Sequence, residues 1–217
     1  MEQRFNSAAT RIDLDTWERR PIFELFNGFA EPYHGVCLRI DCTETFRFAK
    51  DHRLSVFLSL LHRSLSAAHA IENFRMRVVD GAVWTFETIH GGSAVGRSNG
   101  TIGFGHYVYH PRLVDFVRDA SVELDRVRNR SDIERPQAQN LIRYSTLPWF
   151  DFTSISHATD FAGRDSAPKI TFGKITEANG RHTMPVSIHV HHGLVDGSHV
   201  AQFVEHFERS LAAPEAL

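Results

Sequence analysis

With 217 residues, 42% of them hydrophobic and 11% aromatic, the chain can bury one substantial core, and a single domain spanning 1–217 is expected. The 24 Lys and Arg nearly balance the 26 Asp and Glu, a formal charge of -2, so no electrostatic footprint points to nucleic acid or an anionic membrane, and small neutral partners fit better. The first seven residues lack the apolar run of a secretory signal and no later stretch is long enough to span a bilayer, which points to the cytoplasm.

A first helix is predicted from about Asp15 or Thr16, carrying Trp17, Arg19, Arg20, Phe23 and Phe26, with a kink or restart forced by Pro21. Residues 35–42 read as a strand; Cys37 and Cys42, an odd separation apart on it, should project to opposite faces and remain free thiols. Leu54, Phe57, Leu58, Leu61, Leu65 and Ala68 then form an apolar stripe at helical spacing. Residues 74–79 and 83–89 flank Asp80-Gly81, a two-residue hairpin signal because both turn positions need positive φ, and the sheet is predicted to begin there. The glycine-rich run 91–100 reads as a flexible loop, followed by a strand near 102–108 and a helix with Leu113, Phe116, Val117, Ala120, Leu124 and Val127. Strands near 141–145, 170–176 and 186–192 complete the set, with Asn179-Gly180 turning between the last two. The succession predicts an α/β (α+β) two-layer sandwich, a mixed β-sheet covered by helices.

The segment 184–200 carries the densest chemistry. Val186, Ile188 and Val190 alternate with Ser187, His189 and His191, the signature of a strand with two different faces, and beyond Gly197 the residues Val200, Phe203, Val204, Phe207 and Leu211 recur at helical spacing. Between them His192, three intervening residues and Asp196-Gly197 form an HxxxDG pattern. The chain has 14 histidines, and most must be ordinary surface or satisfied core residues; His189 and His191 share one strand face. A metal site could draw imidazoles from His189, His191, His192 and His199. Against it, His191 and His192 point opposite ways, and no cysteine pair or HExxH spacing completes a ligand set. The remaining reading makes His192 a general base, since a rigid strand-to-turn junction can hold an imidazole against a substrate hydroxyl. Asp196 could orient that imidazole, accept backbone amides, or pair with a remote arginine, ionised in each case. Gly197 permits a backbone path or close packing that a side chain would block.

Other motifs are weaker. Gly96-Arg97-Ser98-Asn99-Gly100 matches GxSxG, but it follows a glycine-rich loop and precedes a strand, so Ser98 is not read as a nucleophile. Neither GxGxxG nor the Lys-Ser/Thr of a P-loop is present in the glycine-rich run.

Four segments in order, Trp17-Glu18-Arg19-Arg20, Phe74-Arg75-Met76-Arg77, Ser145-Thr146-Leu147-Pro148-Trp149 and the stretch from Val190 to Val200, give the chain a wider resemblance. It resembles the chloramphenicol acetyltransferase family, of the coenzyme A-dependent acyltransferase fold and not the left-handed β-helix type. The HxxxDG element alone is shared with dihydrolipoyl acyltransferases, peptide-synthetase condensation domains and plant acyltransferases; the other three segments narrow the choice.

The resemblance implies acetyl-CoA as co-substrate, no metal, and a homotrimer in which His192 faces a pocket largely built by its neighbour. His192 matches the base that deprotonates the acceptor hydroxyl for direct attack on the thioester. Asp196 matches a turn aspartate that pairs with the arginine matching Arg19 and is structural. Ser145 matches the serine that stabilises the oxyanion; by itself it would read as a turn residue. Thr171 matches a threonine acting through water, although alone it is merely a β-branched strand residue. By the same analogy Lys174 lies toward the pantetheine or phosphate end of the coenzyme, with Ser145 beside the acyl group. Leu25 and Phe26 match positions where relatives place aromatic residues against the acceptor, while Arg20-Pro21-Ile22-Phe23 departs from the charged, histidine-containing segment common there. The function implied is acetyl transfer to the hydroxyl of chloramphenicol. Another hydroxyl or thiol acceptor such as dihydrolipoamide, and a non-catalytic or metal-binding His-rich protein, are the alternatives.

Overall fold

The computed structural model describes residues 7–158 and 165–214. In chain order these form β1 (Ala9–Arg11), α1 (Arg20–Asn27), β2 (Tyr33–Asp41), α2 (Thr43–Asp51), α3 (Val56–His69), a 3-10 turn (Glu72–Arg75), β3 (Met76–Val79), β4 (Ala82–Phe86), β5 (His90–Gly96) and β6 (Ile102–Tyr107). There follow α4 (Leu113–Arg128), β7 (Leu141–Thr146), β8 (Lys169–Phe172), β9 (Thr176–Ala178), β10 (Arg181–His191) and α5 (Gly197–Ala212). The main sheet has the order β2-β10-β8-β7-β5-β6, with β9 also paired to β10. It is mixed: β10 runs antiparallel to β2 and β8, whereas β7 is parallel to both β5 and β8. No helix among the described residues is long and apolar enough to cross a membrane.

The period-2 alternation of 186–191 separates the two faces of the sheet. Val186, Ile188 and Val190 are fully buried in one apolar cluster with Leu58, Leu61 and Leu65 of α3 and Phe203 and Phe207 of α5. Burial of this kind, about 25 cal/mol per Å² of apolar surface, is the main stabilising contribution. Phe74 stacks on Phe203 with ring centroids 4.8 Å apart, tying the 3-10 turn to α5. Polar residues occupy the other face in two adjacent rows. One runs Ser145–Thr171–Ser187–Cys37 and the next Arg143–Lys169–His189–Gly35.

Several expectations are corrected. The first helix begins at Arg20, not near residue 15, because Pro21 suits a first turn whose N–H groups have no helical acceptor; residues 14–16 and 18–19 form turns instead. Helix α2 was not anticipated; it follows directly on β2, and Cys42 caps it rather than sitting on the strand, both cysteines being free. The glycine run is not a loop over 91–96 but strand β5. A Cβ at Gly91 would lie 3.2 Å from Leu61 and one at Gly92 3.3 Å from Leu141, so the missing side chains let α3 and β7 pack close. The Asp80-Gly81 hairpin forms with φ of 51° and 79°, yet it pairs with β1 in a separate three-stranded sheet of order β1-β4-β3 and does not begin the main one. The run 170–176 splits into β8 and β9 at Gly173, where a Cβ would meet the Pro185 ring at 2.4 Å; Pro185 has no N–H to give the ladder. Asn179-Gly180 turns between β9 and β10 with φ of 52° and 75°, as its sequence requires.

Candidate active site

His192 is the first residue beyond β10, and its N–H still donates to Pro32 O at 2.8 Å, so the junction keeps the register of the β2 pairing. Its ring stacks on Phe26 of α1, centroids 4.0 Å apart and 7° from parallel, and tilts against His34 at 4.3 Å. His34 Nε2 lies 3.2 Å from Val195 O, and burial chiefly lowers the His34 pKa. Among the described residues His192 Nδ1 is buried without a hydrogen-bond partner, which leaves Nε2 as the nitrogen available to a substrate. Ile22, Leu25 and Phe29 add exposed apolar surface along the same helix and its end, with Phe29 5.2 Å from the Phe26 ring.

The turn after His192 is clamped by one guanidinium. Arg19 donates from Nη2 to His192 O at 2.9 Å, from Nε to Gly193 O at 3.0 Å and from Nη1 to Asp196 Oδ2 at 2.7 Å. Asp196 also caps α5, accepting from the Ser198 N–H and hydroxyl at 3.2 and 2.7 Å. Burial pushes its carboxyl upward, but hydrogen bonds from Ser198 and Arg19, with the nearby cationic charge, hold it well below the usual carboxylate range. His199 completes the capping box. Its Nδ1 lies 3.2 Å from the Asp196 backbone N and 2.9 Å from Asp196 Oδ1, and burial chiefly lowers its pKa.

The other candidates lie elsewhere. Half-buried Ser145 on β7 is directly opposite fully buried Thr171 on β8, and Thr171 Oγ1 has no hydrogen-bond partner among the described residues. Thr171 is in turn opposite Ser187, five residues before His192 on β10, which places the imidazole about 16 Å further along the strand at ~3.3 Å per residue. Within one chain Arg19, Phe26, His192 and Asp196 come together, and Ser145 with Thr171 form a second group. Leu25 is 55% exposed beside Phe26. Lys174 is exposed just past β8, its N–H donating to Phe150 O at 2.8 Å, near the exposed rings of Trp149 and Phe150.

The crowded imidazoles are individually engaged: Gly193 N–H donates to His191 Nδ1 at 3.2 Å, and His189 Nδ1 lies 2.9 Å from Ser187 Oγ. No group of three or more His, Cys, Asp or Glu among the described residues is arranged to hold a metal ion. Two neighbours of the site went unnoticed in the sequence. His34 carries no motif, whereas Lys169 stands two positions before Thr171 and so had to share its strand face.

Comparison with known proteins finds one family over most of the chain. The family model described as chloramphenicol acetyltransferase matches residues 7–208. A chloramphenicol acetyltransferase of Klebsiella sp is 24% identical over 202 residues, covering 92% of each chain. A solved chloramphenicol acetyltransferase superimposes with a TM-score of 0.87 at 29% identity, covering 94% of this chain and 100% of that one. A dihydrolipoamide acetyltransferase of Azotobacter vinelandii shares the fold, with a TM-score of 0.65 at 18% identity over 85% of this chain and 83% of that one.

Proposed function

The chain belongs to the chloramphenicol acetyltransferase family and is an acyltransferase, and from that premise we propose that it transfers the acetyl group of acetyl-CoA to a hydroxyl, with His192 as the base. The observation that carries this reading is the fixed imidazole, stacked on Phe26 while Arg19 holds its carbonyl, with one nitrogen left for the acceptor. An aliphatic hydroxyl is a poor nucleophile at neutral pH, and a positioned base contributes about 10²–10⁴ in rate. The thioester supplies an activated acetyl group. Ser145 donates to the carbonyl oxygen as charge develops there, a contribution of about 10²–10³. The unsatisfied hydroxyl of Thr171 retains donor capacity for a water in the same place. Asp196 keeps its proton off throughout and anchors the turn. Buried hydroxyls and an exposed Lys174 fit an acyl thioester with a phosphate-bearing tail.

The distance between His192 and the Ser145–Thr171 pair supports a site completed by Ser145 and Thr171 of a second copy, in a homotrimer such as the resemblance implies. Leu25 and Phe26 then present an apolar wall to an acceptor, chloramphenicol being the one the relatives' names supply. A cytoplasmic enzyme acting without a resident metal is part of the same reading. The test is the chromatographic measurement of free CoA formed from acetyl-CoA with chloramphenicol and with dihydrolipoamide, run beside His192→Ala. Turnover with chloramphenicol that drops at least 100-fold in the variant is expected; turnover retained by the variant removes the base, and activity confined to dihydrolipoamide makes the acceptor a thiol.

A further inference from the structure

A cavity of about 240 Å³ opens on the polar face of the sheet, lined by Tyr33, Gly35, Ser156, His157, Lys169 and His189, with Glu31 at its rim. Sites that enclose a whole small ligand run to about 300–1,000 Å³, so a cavity of this size suits one end of a larger molecule. Its walls are chemically uneven. Lys169 is only 7% exposed, and its ammonium stands 4.3 Å over the Tyr33 ring. Among the described residues its one carboxylate neighbour is Asp165 Oδ2 at 3.9 Å, beyond hydrogen-bond reach, and Arg143 already holds that oxygen at 2.8 Å. An ammonium carries three protons, and those of Lys169 that face the cavity can donate to an acceptor placed there.

The remaining walls are uncharged. Burial, then the charges of His189 and Lys169, brings His157 down to about 4, and burial followed by Lys169 lowers His189. Both rings are therefore largely uncharged at pH 7, and they meet edge to face at 4.7 Å. His189 lies directly over Gly35, where a Cβ would come within 2.4 Å of the imidazole, so the cavity floor depends on that glycine. Two cations, Lys169 and Arg143, share one inner carboxylate, Asp165, while Glu31 is exposed at the mouth and accepts the Tyr33 N–H at 3.2 Å. The inner end of the cavity favours a negative group, and the rim disfavours a second.

We propose that this cavity binds a single carboxylate on Lys169, which adds hydroxylated organic acids to the acceptors that the enzyme takes. The inference rests on the reading of the chain as an O-acetyltransferase with Ser145 and Thr171 at the reacting centre. Lys169 and Arg143 lie one row from Thr171 and Ser145, about 7 Å at two residues along a strand. A hydroxyl at the first row and a carboxylate at the second are thus within the span of one small molecule. Chloramphenicol, which is neutral, would engage the apolar wall and leave Lys169 without a partner.

The test compares 4-(hydroxymethyl)benzoate with its methyl ester, two acceptors with the same hydroxyl. In thiol-release assays the wild-type protein is expected to favour the acid in kcat/KM by at least 10-fold, Lys169→Met to bring the ratio near unity, and Lys169→Arg to retain much of it. A wild-type ratio of one or less overturns the proposal without recourse to any variant, as does a ratio unchanged in Lys169→Met. Should no acceptor be acetylated, chloramphenicol included, the enzymatic reading fails by itself. Calorimetric binding of 4-(hydroxymethyl)benzoate that disappears in Lys169→Met would then still support the carboxylate site, and absent binding to the wild-type protein would overturn it.

Discussion

Replacing Arg19 by methionine keeps the length of the side chain and removes the clamp on the catalytic turn. Three hydrogen bonds are lost, to His192 O, Gly193 O and Asp196 Oδ2. A charge-assisted bond contributes about 1.5–3 kcal/mol when fully buried. Here the Arg19 side chain is 15% exposed and that of Asp196 33%, so solvent screening brings each bond nearer 1 kcal/mol and the total to about 3 kcal/mol. For a chain of this size that corresponds to a fall in Tm of roughly 6–12 °C. The pH profile should move as well. A carboxyl held below its ordinary range contributes stability that is fully present above the unfolded pKa, about 4, and is lost as pH falls through the lower folded value. Without Arg19 the folded value rises, so the loss sets in at higher pH. The measurements are thermal unfolding from pH 7 to 3 and a double-mutant cycle with Asp196→Asn, for which a coupling of about 1 kcal/mol is expected. A Tm drop under about 2 °C with coupling near zero would refute the clamp.

Thr171→Val removes a buried hydroxyl with no partner among the described residues, so stability should hold or rise by up to about 1 kcal/mol while kcat falls; a loss of stability would mean that the hydroxyl is satisfied in solution. Phe26→Ala removes the ring stacked on His192 and should lower kcat by about 2- to 13-fold, the equivalent of ~0.5–1.5 kcal/mol for an aromatic pair; unchanged kcat would show that the imidazole is positioned by the turn alone. Burial brings His62, His90 and His191 from an ordinary 6.5 down to about 4. Their neutral forms are favoured in the fold, so their contribution is complete above about pH 6.5 and is lost as pH falls toward about 4. The urea midpoint should therefore drop between pH 7.5 and 5.0, and a constant midpoint over that range would contradict it.

Periodicity made the framework of this protein legible where apolar side chains recur at the spacing of the element. The alternation of 186–191 and the stripe from Leu58 to Ala68 both translate directly into β10 and α3, because each buries one face against the other. Turn chemistry was equally direct at Asp80-Gly81 and Asn179-Gly180, where the backbone adopts positive φ at both residues. What stayed hidden depends on neighbours remote in the chain. The strand character of 90–96 comes from the close approach of Leu61 and Leu141, which glycine permits without announcing. The same holds for the site: Arg19 and Asp196 are separated by 177 positions, and only resemblance suggested their pairing. The row that sets Lys169 beside His189 and Arg143 follows from inter-strand register, which no local pattern encodes.

The strand order β2-β10-β8 has a consequence for the order of events during synthesis. β2 is complete by residue 41, yet its one sheet neighbour among the described residues is β10, which begins at residue 181. A growing chain therefore carries an unpaired strand while some 140 further residues emerge, seconds of exposure at about 5–20 residues per second. The sheet closes, and Arg19 finds its turn, only when about the last sixth of the protein arrives, so a nascent chain stalled before β10 would hold an open edge for chaperones and would have no partial activity.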